Sequence, residues 1–126
     1  RPENLAAWNE IPESERAFQE RLMEVYAGFL EHTDAQVGKL IDELEARGIR
    51  DNTLVFYIGD HGAQFQRGKL SCYEGGLRVP LIVRWPGRAR EGLVSDRLVS
   101  TVDLLPTVLE AVGAEAPAGL AGRLPQ

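Results

Sequence analysis

An α/β architecture follows from three features of the 126 residues. A helical apolar stripe runs through residues 18–44, two short β-branched runs centre on Val55 and Ile82, and a second helical pattern lies near the end. Helix, strand, strand, helix without an internal repeat is the pattern of an α/β piece. Hydrophobic residues make up 44% and charged residues 26%, the composition of a globular protein.

The first helix is expected to start within Ile11 to Ala17, where a proline, acidic residues and Ser14 as N-cap come together. Phe18, Leu22, Val25, Phe29, Val37, Leu40, Ile41 and Leu44 then recur in steps of three and four, which puts them on one stripe. The stripe is interrupted at Glu31 to Asp34, with Gly38 just beyond, so the pattern fits either one bent helix or two. Gly48 supplies the stop.

Thr53 to Ile58 is β-branched, aromatic and almost continuously apolar, the pattern of a strand covered on both faces. Val79 to Trp85 reads the same way, with Pro80 at its start, where a missing donor is tolerated. Val94 to Val99 fits a short edge strand. Ser100 or Thr101 is expected to cap the last helix, which runs to Gly113, and Pro106 inside it demands a kink or a later start.

Fourteen basic and nineteen acidic residues give a net charge of -5, which disfavours nucleic acid and anionic membrane as partners. No apolar run reaches the roughly 18 residues that span a bilayer. A single cysteine, Cys72, forms no internal disulfide. The polar opening Arg1-Pro2-Glu3-Asn4 and the loop-like run from Leu120 to Gln126 are read as the boundaries of a fragment.

Chemistry is expected at Asp60-His61-Gly62, directly after the first strand, because ligands of open α/β sheets collect beyond the strands' carboxyl ends. Aspartate offers a hard oxygen ligand, neutral histidine a nitrogen, and glycine a sharp turn that lets the two converge on one ion. A turn-capping Asp60 and a half-buried His61 would give the same tripeptide. Lys69, nine residues beyond Asp60 and near Arg67, could hold an anionic oxygen as a point charge or be a solvated lysine. Cys72 has no histidine near it in sequence and reads as an inert loop or core residue. Tyr73-Glu74-Gly75-Gly76 reads as a tight turn whose glycines take positive φ, with Arg78 pairing with Glu74. Trp8, Tyr26 and Trp85 read as packing residues, and His32 as a helix-border residue.

In order along the chain, Asp34-Ala35-Gln36-Val37-Gly38, Asp51-Asn52-Thr53-Leu54-Val55, Asp60-His61-Gly62, Lys69, Tyr73-Glu74-Gly75-Gly76, Arg78-Val79-Pro80, Trp85-Pro86-Gly87 and Asp103-Leu104-Leu105-Pro106-Thr107 resemble the sulfatase family. That family lies within the alkaline-phosphatase-like superfamily. The resemblance implies a fragment of a mixed sheet flanked by helices, part of a metal-dependent sulfuric ester or sulfamate hydrolase domain. It makes Asp60 and His61 ligands of a divalent cation, usually calcium, with manganese, zinc or iron admitted by the imidazole. It makes Lys69 the sulfate-contacting catalytic residue, and a sulfated small molecule or glycan the substrate. The family's Cys/Ser-x-Pro-x-Arg nucleophile motif is absent from this sequence, as is the early aspartate pair, so residues 1–126 are expected to be a partial catalytic domain that lacks its N-terminal part and is inactive alone. A phosphonate or phosphodiester hydrolase, or a binding module that keeps half of the fold, is the alternative.

Overall fold

The computed structural model describes residues 6–122; the readings at Arg1–Asn4 and beyond Gly122 lie outside the described residues. The chain divides into two compact units, Arg1–Ala89 and Arg90–Gln126.

The first unit is built on α1, Glu13–Ala46, a single 34-residue helix of about 50 Å. It runs without interruption through Glu31 to Gly38. Its N-cap is Pro12 and not Ser14, which lies inside the helix. Proline's fixed φ, here -53°, already sets the chain at the helix entrance, and Glu15 and Arg16 donate their amides to the Pro12 carbonyl. The helix stops where expected, with Gly48 at φ 66°, a left-handed turn that a side chain would strain. Tyr26, Val37, Ile41 and Leu44 are half-buried, whereas Phe18, Val25, Phe29 and Leu40 of the same apolar stripe are exposed. No helix among the described residues is long and apolar enough to cross a membrane.

A 3-10 turn at Arg50–Asn52 leads into β1, Val55–Ile58, which pairs antiparallel with β2, Leu81–Arg84. Register is Val55 opposite Arg84 and Ile58 opposite Leu81. The pairing continues past the strand ends, since the Gly59 amide donates to the Pro80 carbonyl at 3.0 Å. Arg84 ties the strand back to the turn by donating Nη1 to the Arg50 carbonyl at 2.8 Å. Coverage on both faces, expected for these strands, is not met. β1 is half-buried up to an exposed Ile58, and Leu81, Ile82 and Val83 of β2 are exposed. Among the described residues the sheet has two strands and no hydrophobic side chain is buried.

The second unit corrects one expectation and resolves another. Val94 to Val99 forms no strand and makes no ladder, because a strand needs an edge to pair with. Ser100 caps a 3-10 turn at Thr101–Asp103, where its amide donates to the Asp103 carboxylate at 2.9 Å. α3 follows at Leu104–Ala111 and places Pro106 in its first turn, where an N–H has no intrahelical partner to lose. Gly113, at φ 71°, closes it.

Candidate active-site loop

The chain leaves β1 at Gly59 and enters an irregular loop that returns through the one-turn helix α2, Glu74–Leu77, to β2. Asp60, His61 and Lys69 all belong to this loop, which begins at the carboxyl end of β1. His61 Nδ1 lies 2.9 Å from the Gly62 carbonyl oxygen. A carbonyl can only accept, so Nδ1 carries the hydrogen of this contact. The other ring nitrogen, Nε2, lies 3.5 Å from Asp60 Oδ2. The Asp60 side chain is 86% and that of His61 43% exposed, so solvent reaches the pair.

The pair fits one ion. Ligands bonded at about 2.0–2.5 Å and set at right angles lie roughly 2.8–3.5 Å apart, which brackets the observed separation. Among the described residues no group of three or more His, Cys, Asp or Glu side chains gathers, so the pair would supply two ligands of a coordination sphere and not a complete one.

Lys69 is exposed, and among the described residues no carboxylate pairs with its ammonium group. Its backbone amide, in contrast, donates to the Ala63 carbonyl at 2.9 Å, which ties the lysine segment to the chain three residues after Asp60. The flanking residues Arg67 and Leu70 have φ of 60° and 68°, and the Arg67 guanidinium sits 4.3 Å over the Tyr73 ring. Phe65, in the middle of the loop, packs edge-on against Tyr26 of α1 with centroids 5.0 Å apart. Cys72 is an exposed loop residue, and His32 stands exposed on α1, outside the loop.

Two sequence expectations fail in this loop. Gly75 and Gly76 are helical residues of α2 and have no positive φ. Arg78 meets Glu74 through the backbone, amide to carbonyl at 2.8 Å, and not through a side-chain ion pair. The close packing of Gly62, Gly68, Gly75 and Gly76 against backbone was missed, although four glycines within fifteen polar-loop residues were its signal.

The family model described as Sulfatase matches residues 4–114, and the chain belongs to the sulfatase family, within the alkaline-phosphatase-like superfamily. It is similar to an ulvan-active sulfatase of Formosa agariphila, 39% identical over 80 residues that cover 64% of this chain and 13% of that protein. It is similar also to the steryl-sulfatase of Rattus norvegicus, 35% identical over 109 residues, covering 73% of this chain and 19% of the relative. The N-acetylgalactosamine-6-sulfatase of Mus musculus is 36% identical over 105 residues, 73% of this chain and 20% of its own length. The chain thus spans less than a third of the length of these relatives.

Proposed function

We propose that this chain is the metal- and anion-binding part of a sulfuric ester or sulfamate hydrolase, an incomplete catalytic domain whose nucleophile lies in polypeptide outside residues 1–126. The observation that carries the reading is the 3.5 Å approach of Asp60 Oδ2 to His61 Nε2. Asp60 and His61 would hold a divalent cation, with the Gly62 carbonyl orienting the ring from the far side. Oxygen and imidazole ligands together suit manganese or zinc as well as calcium, the family's usual ion. When bound, the cation withdraws charge from a sulfuryl oxygen. Lys69 offers its ammonium group to another oxygen of the same group and offsets the charge there, while the bonding pair of the breaking sulfur–oxygen bond leaves on the ester oxygen. The substrate class is a sulfated small molecule or glycan, in keeping with the names of the relatives.

The test uses the full-length protein with 4-nitrophenyl sulfate. Lys69→Ala is expected to lower kcat by about 10²–10³-fold, the effect of removing one preorganised donor to a developing oxyanion. Asp60→Ala is expected to abolish Mn2+ binding measured by calorimetry and turnover together. Unchanged turnover in Asp60→Ala would remove the pair from the mechanism.

A further inference from the structure

In the first unit the described residues that are buried are Gly62 and Gly68, and both lie in the loop that carries Asp60, His61 and Lys69. Neither these two nor Gly75 and Gly76 adopt positive φ, so backbone freedom does not explain glycine at the four positions. Space does. A Cβ at Gly62 would run into the Gly75 carbonyl oxygen, one at Gly68 into the Ala63 carbonyl oxygen, and one at Gly76 into the Ser71 carbonyl oxygen. A Cβ at Gly75 would lie 2.8 Å from the Arg67 carbonyl oxygen, inside the 3.0 Å that real Cβ atoms respect.

These approaches close a circuit. Residues 62–63, next to the Asp60–His61 pair, lean on residues 68 and 75; residues 67–71, which hold Lys69, lean on 75 and 76. Hydrogen bonds follow the same path: Gly62 N–H to the Gly76 carbonyl at 3.1 Å, Lys69 N–H to Ala63 at 2.9 Å, and Ser71 N–H to Gly68 at 3.2 Å. The Ser71 hydroxyl adds a bond to the Gly68 carbonyl at 2.8 Å. Side chains at φ 60° and 68° on both sides of Lys69 persist only where the surroundings over-determine the backbone, and here the surroundings are backbone.

We infer that Gly62, Gly68, Gly75 and Gly76 are positioning residues, a backbone-on-backbone lock that sets the separation between the Asp60–His61 pair and Lys69. The lock rests on the function proposed above for the roles of those three side chains, but its existence does not. A methyl group at any of the four glycines pushes one strand of the circuit away, and a misplacement of about 1 Å in a catalytic constellation can lower turnover roughly 10²-fold.

The experiment substitutes Gly75→Ala and Gly76→Ala in the full-length protein, with Gly28→Ala and Gly38→Ala as controls, since a Cβ at those two α1 positions meets nothing within 4 Å. Turnover of 4-nitrophenyl sulfate is measured per folded molecule, and hydrogen exchange is followed at the Gly62 and Lys69 amides. Gly75→Ala, with the mildest contact, is expected to lower kcat about tenfold and Gly76→Ala about a hundredfold, with KM changing less. In both, exchange at the two amides accelerates together; the controls keep wild-type values. Should Gly76→Ala not fold, Gly75→Ala decides. A lower melting temperature with unchanged kcat per folded molecule, or independent exchange of the two amides, overturns the lock. If the unsubstituted protein turns over no sulfate ester, it is the functional reading that fails, and the exchange result alone judges the lock.

Discussion

The loop from Asp60 to Leu77 and the long helix α1 solve opposite packing problems. The loop is polar, rich in glycine and half exposed, yet it contains the buried residues Gly62 and Gly68 and packs carbonyl against Cα with no room for a methyl group. α1 is regular and carries a long apolar stripe, yet Phe18, Phe29 and Leu40 are 64%, 69% and 67% exposed. Hydrogen bonds and backbone contacts among residues close in sequence order the loop from within. Burial of an apolar stripe needs an opposing surface, and contiguous apolar exposure of this kind marks a face that something else covers. The loop is therefore the part that these residues specify by themselves.

The contrast breaks most sharply at Phe29. If polypeptide outside this segment covers that face of α1, Phe29→Ala is expected to destabilise the full-length protein by about 3 kcal/mol, the loss typical of a buried aromatic side chain. In the 126-residue chain alone the same substitution shifts stability by less than about 0.5 kcal/mol. Denaturant midpoints of the two forms measure the difference, and equal small effects would show that the stripe stays uncovered. Next in size is Gly62→Ala, which forces a methyl group onto the Gly75 carbonyl and is expected to destabilise by about 2–3 kcal/mol in the full-length protein. A near-neutral result would mean that the loop is looser than its contacts imply.

A smaller effect probes the joint between the two regions. Tyr26 and Phe65 meet edge-to-face at 5.0 Å, the aromatic contact that links α1 to the loop. A double-mutant cycle with Tyr26→Leu and Phe65→Leu is expected to give a coupling of about 0.5–1.5 kcal/mol, read from unfolding midpoints. Additive losses would uncouple the loop from the helix.

What could be read in advance follows the same division. Gly48 and Gly113 were readable as helix stops because a left-handed turn after a periodic run leaves few residues to choose from, and both take positive φ. Asp60 Oδ2 and His61 Nε2 lie 3.5 Å apart, the approach expected where a glycine directly after the two residues lets the backbone turn. Val94 to Val99 misled because β propensity says nothing about whether an edge is there to pair with. Gly75 and Gly76 misled for a different reason: glycine serves a left-handed turn or a close approach equally well, and which applies depends on how the loop folds back on itself at Arg67, Gly68 and Ser71. The Tyr26–Phe65 contact joins positions whose separation in sequence gives no periodic signal at all.

Gly38 sharpens the comparison with the smallest effect. It lies inside α1 with a negative φ, and a Cβ there meets nothing within 4 Å, so neither reason for glycine in the loop applies. Alanine at this position loses less backbone entropy on folding and is expected to raise stability by about 0.5–1 kcal/mol, where the same change at Gly62 lowers it. The sign, read as a rise in thermal midpoint, is the decisive quantity. A fall would mean that α1 is approached closely at Gly38 by polypeptide outside this segment, and that the helix, like the loop, uses a missing side chain to admit another backbone.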